Sequence, residues 1–252
     1  MSRWLRALAI PVAVVTAWEL WAQIFGIPYE TLSHPSAIVV SGWTALWDGT
    51  ILTATLQTFS GALLGLFIGV MIGVVLGIPL GLFPAADAVV GPSLDALRPI
   101  PAVALLPLAL LIFGFGVRME ALIVAIGCLW PVLLVTITAV RNIDARLLEI
   151  GRLLELPGSV RILRIVLPAT GGRIFVGIRI AAGISLALAI TVEIALNPNG
   201  LGYAMVLASQ GLDPALLWAE LLWVGIIGWA FNRLLLGAER RWLPATIGAV
   251  HA

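Results

Sequence analysis

This 252-residue chain has no lysine, so all 14 of its basic residues are arginines. A Walker-type phosphate loop needs its lysine, so the chain has no such site for ATP. A lysine Schiff base is excluded as well. Of the two histidines, His34 and His251, the second is next to last, which leaves no multi-histidine metal site. Cys128 is alone, so there is no intrachain disulfide and no CxxC site. It lies in an apolar run and reads as a small buried hydrophobe. Charge is scarce too: 11% of residues, against about 25% in soluble domains. The net charge of +1 and the lack of a basic tail give nothing that suits nucleic acid. What the chain has in quantity is hydrocarbon, with 61% hydrophobic residues and a mean hydropathy of +1.11. That is an integral membrane protein, long enough for one domain of several helical spans.

The apolar runs and their punctuation predict six transmembrane helices. Residues 1–28 hold the first, an apolar run from Ala7 to Ile27 behind Arg3 and Arg6. It reads as an anchored span. A cleaved signal peptide fits less well, because no A-x-A site closes it. Residues 29–52 carry no arginine and a short amphipathic piece, Ala37 to Trp47, which suits an outer interfacial helix. Residues 53–243 form the core. Its first span, Thr53 to Phe83, has Gly61, Gly65, Gly69, Gly73, Gly77 and Gly81 at every fourth position. Such a row puts a smooth glycine strip on one helix face, where another backbone can approach closely; packing inside the subunit is favoured over a dimer seam. Ala85 to Arg98 reads as a short, more polar connection. Pro99, Pro101 and Pro107 then break an apolar stretch that reaches Phe113. Irregular backbone at membrane depth is tolerated only against protein or a water-filled cavity, which sets this stretch beside a transport path. Ala121–Val140, Gly177–Leu196 and Leu216–Leu236 complete the spans, and 244–252 is a tail. With both termini cytoplasmic, only Arg118 of the 14 arginines falls outside, as the retention of arginine on the inner side requires.

The longest polar interval, 141–172, lies between the fourth and fifth spans and holds Arg141, Asp144, Arg146, Glu149, Arg152, Glu155, Arg161 and Arg164. Leu147, Leu148, Ile150, Leu153 and Leu154 form an apolar stripe near helical spacing. Two short helices are predicted against the membrane face: one ended by Pro157-Gly158, the other closed by Leu167-Pro168.

This interval resembles the EAA loop of ABC importer permeases, which runs Glu-Ala-Ala, three residues, Gly, nine residues, Ile-x-Leu-Pro. Glu149 holds the Glu position, and Ile165, Leu167 and Pro168 hold the end. Ile150 and Gly151 replace the alanines. Glu155 stands where the family has Gly, and the next glycine is Gly158. Further pieces are similar to the subfamily that imports sulfonates, taurine, nitrate and related small molecules. They are Leu97-Arg98-Pro99-Ile100-Pro101 with Leu106-Pro107 and Phe113-Gly114, then Gly177-Ile178-Arg179-Ile180-Ala181, then Val192-Glu193 with Asn199-Gly200-Leu201-Gly202-Tyr203. The resemblance implies a type I importer permease fold, with a five-helix core plus an N-terminal helix, in a bacterial inner membrane. It implies a second permease subunit, two ATPase subunits that hold ATP and Mg, and a periplasmic or lipid-anchored substrate-binding protein. This chain itself then needs no cofactor and is not an enzyme.

On that reading Glu149, Gly151, Glu155, Gly158, Ile165, Leu167 and Pro168 are the candidates for coupling to the ATPase. For Glu149 the plain alternative is an intraloop pair with Arg146 or Arg152, and for Glu155 a solvated face. Arg98, Pro99, Pro101, Pro107 and Glu193 are candidates for the pathway or its gate. Glu193 suits either an outer gate, a pair with Arg118, or a carboxylate snorkelled at a helix end. Glu19 reads as packing or partner contact, and Trp218, Trp223 and Trp229 as interface anchors. Two other classes compete: an ATP-independent channel or facilitator, and a membrane-embedded enzyme, for which only scattered acids are present.

Overall fold

The computed structural model describes residues 3–26 and 32–242. The expected tail, and the boundary expected at residue 28, lie outside them. Every regular element described is a helix: α1 (Arg3–Phe25), α2 (Pro35–Trp47), α3 (Thr50–Leu82), α4 (Pro84–Leu97), α5 (Leu106–Phe113), α6 (Val117–Arg141), α7 (Ala145–Leu153), α8 (Gly158–Arg161), α9 (Leu167–Ala195), α10 (Leu201–Gln210) and α11 (Pro214–Trp242). Hydrocarbon leaves helices few alternatives, since each backbone donor and acceptor must be met within the segment.

Four segments are long and apolar enough to cross a membrane: α3, α6, Gly158–Ala195 and Pro214–Glu239. α4 and the Ala102–Phe113 segment make a fifth if their pair, bent by 79°, counts as one. α1 adds a shorter apolar stretch, Ala9–Phe25. The break in the fifth falls at Arg98-Pro99-Ile100-Pro101. Prolines deny the backbone donors a helix would use there, and a 3-10 turn, Ala102–Leu105, restarts the chain before α5.

The core is the α3–α6 seam. Its glycine row is the reason. An added methyl at Gly65 would stand 2.5 Å from Val124 Cβ, at Gly69 2.7 Å from the Ala125 carbonyl, at Gly73 2.9 Å from Val132, at Gly77 2.7 Å from Thr136 and at Gly81 2.6 Å from Val140. Both partners advance by four residues, so two helix faces mesh along their length. α9 closes the third side. Gly177 admits Val135, and the Cys128 thiol donates to the Ala181 carbonyl at 3.3 Å. Ala62, Leu66, Val124, Val132, Ala181, Ala182 and Ala189 fill the space between. α1 is tied to α2 by Glu19, which accepts from the Ser36 N–H at 3.0 Å and from the Ser36 hydroxyl at 2.8 Å.

Several expectations need correction. Residues 85–98 are not a plain connection but the helix α4, started by Pro84 in its first turn. A further helix, α10, which the sequence pattern does not predict, begins at Leu201 inside the 199–203 motif. Leu167-Pro168 does not close the second loop helix; the chain runs on from α8 through a π turn, Ile162–Val166, into α9. There the Leu167 N–H reaches back five residues to Ile162. This widening makes room for the ring of Pro168, which in a tight helix would crowd the carbonyl four residues earlier.

Candidate functional site

The 141–172 interval begins with a cap. Asp144 accepts from the Arg146 N–H at 3.0 Å and starts α7, so Asp144, not Glu149, does the work of a carboxylate at the helix start. Glu149 sits in mid-helix. It is exposed, and it makes no ion pair with Arg146 or Arg152.

α7 is held from behind. Leu148 packs on the cluster of Ile78, Val140 and Val166 below the α3–α6 seam. Gly151 is buried, with the Ile165 side chain 2.7 Å from where a Cβ would lie. The rest of the apolar stripe faces out: Leu147 is 44% exposed, Ile150 49%, Leu153 82% and Leu154 64%. The helix therefore turns a bare hydrophobic edge and a free carboxylate away from the core.

Its end explains the Gly-to-Glu departure. The Leu156 N–H bonds the Gly151 carbonyl at 3.1 Å, and the Glu155 N–H bonds that of Arg152 at 2.9 Å. This is the paired closure of a helix whose next residue turns left-handed. Glu155 has φ +50, a conformation that favours glycine. Pro157 then caps α8 rather than ending α7, and Gly158 is its first residue.

The pathway candidates separate into two places. Arg98, Pro99 and Pro101 stand at the break after α4, and Pro107 lies in the first turn of α5. Arg98 lines a cleft of about 230 Å³ with Asp87, Asp95, Trp130 and Arg141. Asp87 and Arg141 form an ion pair across it at 2.5 Å.

Glu193 is elsewhere, at the far end of the bundle from the loop, and only 1% exposed. Its carboxylate accepts from the Gly202 N–H at 2.8 Å, and Arg118 is not its partner. The Gly200 N–H bonds Gln57 at 3.0 Å and the Leu201 N–H bonds Thr58 at 2.9 Å. Three successive donors at the start of α10 are thus met by side chains from α3 and α9, where a helix has no partners of its own. Gly200 and Gly202 leave room for the Glu193 side chain, which a Cβ at either would strike. Beside it Glu120, also 1% exposed, accepts from the Asn197 amide at 2.9 Å and occupies the gap left by Gly61.

Sequence reasoning missed Gln57, Thr58, Glu120 and Asn197 in this clasp. The available signal was the four-residue beat of α6: counting back from Val132 through Cys128 and Val124 puts Glu120 opposite Gly61. Of the tryptophans, Trp223 is not a plain interface anchor. It donates to the Thr55 hydroxyl at 2.9 Å. Trp18 stacks edge-on against Trp218, and Arg233 lies 5.4 Å over Trp229.

Residues 65–243 match the family described as binding-protein-dependent transport system inner membrane component. The chain belongs to that family. It is 30% identical to the putative aliphatic sulfonates transport permease protein SsuC of Escherichia coli, over 96% of this chain and 94% of that protein. It is 33% identical to the riboflavin transport system permease protein RibX of Chloroflexus aurantiacus, over 88% of this chain and 84% of that one. In fold it matches a chain of the inward-facing MetNI methionine ABC transporter, with a TM-score of 0.55, 18% identity, and coverage of 82% of this chain and 99% of the other. This is the fold of an ABC importer's transmembrane subunit. The permease is a multi-pass membrane protein, and its family works with separate ATPase and substrate-binding components.

Proposed function

We propose that this permease works as one of two copies in a bacterial inner membrane, termini cytoplasmic, importing a small sulfonate, taurine, nitrate or similar compound. α7 docks on a separate ATPase and passes its movement into the core. The sulfonate part of that class is inferred from the SsuC relative and the rest from the motif resemblance; RibX, 33% identical over 88% of this chain, is named for a different cargo. ATP and Mg belong to the partner, and this chain catalyses nothing itself.

The observation that carries the coupling role is α7 itself. A helix anchored by Leu148 and Gly151 shows Leu147, Ile150, Leu153 and Leu154 to solvent around an unpaired Glu149. Exposed hydrophobic edges of this kind mark partner surfaces. Leu167 and Pro168 open α9, into which the chain runs on from α8 through the Ile162–Val166 turn.

The test is uptake by the reconstituted assembly together with its ATP hydrolysis. Glu149→Arg and Leu153→Glu are each expected to release the ATPase during purification, or to leave ATP hydrolysis no longer matched by uptake. Wild-type uptake per ATP in both variants would remove the docking role. Uptake by the permease in vesicles lacking any ATPase would favour a facilitator instead.

A further inference from the structure

α4 passes as part of a membrane span only together with the Ala102–Phe113 segment, yet none of its residues is buried. Ala86 and Leu94 are partly covered by the core. The other apolar side chains are open: Val89 is 78% exposed and Leu97 51%. The charges of this helix are not all matched either. Asp87 has Arg141 as its partner, but Asp95 and Arg98 form no ion pair among the described residues, with each other or with any other group. Both are exposed.

The spacing of these two charges fits one particular partner. Residues three apart on a helix point about 60° from each other, on either side of a line down the helix, with about 4.5 Å of rise between them. Two copies of a chain associate most often about a two-fold axis, which makes the same patch face itself. An axis that passes opposite that line exchanges its two sides. Asp95 of one copy then lies on the same side as Arg98 of the other, and the reverse pair forms at once. The long arginine side chain covers the rise, and its fork meets the carboxylate. Hydrocarbon suits Val89 and Leu97 but offers the charges nothing. Water solvates the charges but not the apolar residues. A second copy matches both.

We propose that the exposed edge of α4 is a contact between the two permease copies, with Asp95 of each paired to Arg98 of the partner subunit. The inference rests on the reading above that two copies work together, and adds which edge joins them. It also accounts for an apolar helix without a buried residue, because the second copy covers it. α4 is tied to the end of α6 by Asp87 and Arg141, so this contact stands one link away from the 141–172 loop.

Two differently tagged copies, expressed together with the ATPase and purified on both tags in sequence, test it. Asp95→Arg with Arg98→Asp in both copies keeps both pairs and should assemble as wild type does. A wild-type copy beside an exchanged one sets aspartate against aspartate and arginine against arginine. That mixed assembly should be recovered at least about five-fold less than two wild-type copies are. Charges that face lipid, water or their own chain give equal recovery, and equal recovery overturns the proposal. A second measurement decides if the exchanged protein fails to assemble. One copy with Asp95→Cys and the other with Arg98→Cys should be joined by a short bifunctional maleimide, either without nucleotide or with ATP held by a hydrolysis-deficient ATPase. Cys128 is fully buried and does not compete for the reagent. No joining in either state overturns the contact. Wild-type tags that fail to copurify defeat the two-copy reading along with it. Tags that copurify, but with neither preference nor joining, defeat this inference alone.

Discussion

At Glu155 a backbone demand and a side chain disagree. The left-handed turn that closes α7 requires φ +50, which costs a non-glycine residue about 1–2 kcal/mol, while glycine returns part of that through its freer unfolded chain. Glu155→Gly is therefore expected to raise stability by about 0.5–1 kcal/mol, read as a higher midpoint in SDS-driven unfolding. Glu155→Val should lower it, since a β-branched residue fits that conformation worst. Equal midpoints for the two variants would mean the turn relaxes freely. At Glu149 the argument is about charge instead. Exposed and unpaired in an arginine-rich loop, it adds nothing to the fold that its removal could take away, so Glu149→Gln should leave the midpoint unchanged and alter only ATPase coupling.

The α3–α6 seam sets the tolerance of whole helices. A methyl at Gly69 would meet the Ala125 carbonyl at 2.7 Å and Cys128 Cβ at 2.8 Å, and a backbone atom cannot step aside. Gly69→Ala should cost about 1–3 kcal/mol. Gly183, in α9, has open space around its missing Cβ, so Gly183→Ala should be neutral or gain up to about 1 kcal/mol of helix propensity. Cys128 is a built-in reporter, being fully buried in the wild type. Maleimide should label it faster in Gly69→Ala than in Gly183→Ala, and equal rates would show that the seam is not closely packed. This row was legible in the sequence, because a four-residue repeat of glycine has few uses besides close helix approach. α4 and α10 were not. Pro92 and two aspartates disguise α4 as a connection, although it packs through Ala86 and Leu94. α10 is started by Gln57 and Thr58, residues about 143 positions away, a cap no local pattern announces. The π turn before Pro168 escaped for the opposite reason: proline reads locally as a stop, and only the widened backbone shows how the helix passes it.

Across the whole molecule, movement at α7 must reach the bent segment if the loop drives transport. Two routes leave the loop. One runs through the continuous helix from α8 into α9. The other passes from the last residue of α6 to α4 through the Arg141–Asp87 pair, whose side chains are 45% and 31% exposed. A pair that wet contributes about 0–1 kcal/mol to stability, so its loss should scarcely shift the unfolding midpoint. A contact worth about 1 kcal/mol in one of two conformations still changes their balance about five-fold. Asp87→Ala is therefore expected to lower substrate moved per ATP by a factor of that order while the assembly stays equally stable. The exchanged pair, Asp87→Arg with Arg141→Asp, keeps both charges across the same gap and should restore much of the coupling. If Asp87→Ala transports as wild type does, the force reaches the bent segment through α9 alone. If the exchanged pair is as poor as the single variant, position along α4 matters more than attraction, and the cleft rather than the link accounts for Asp87.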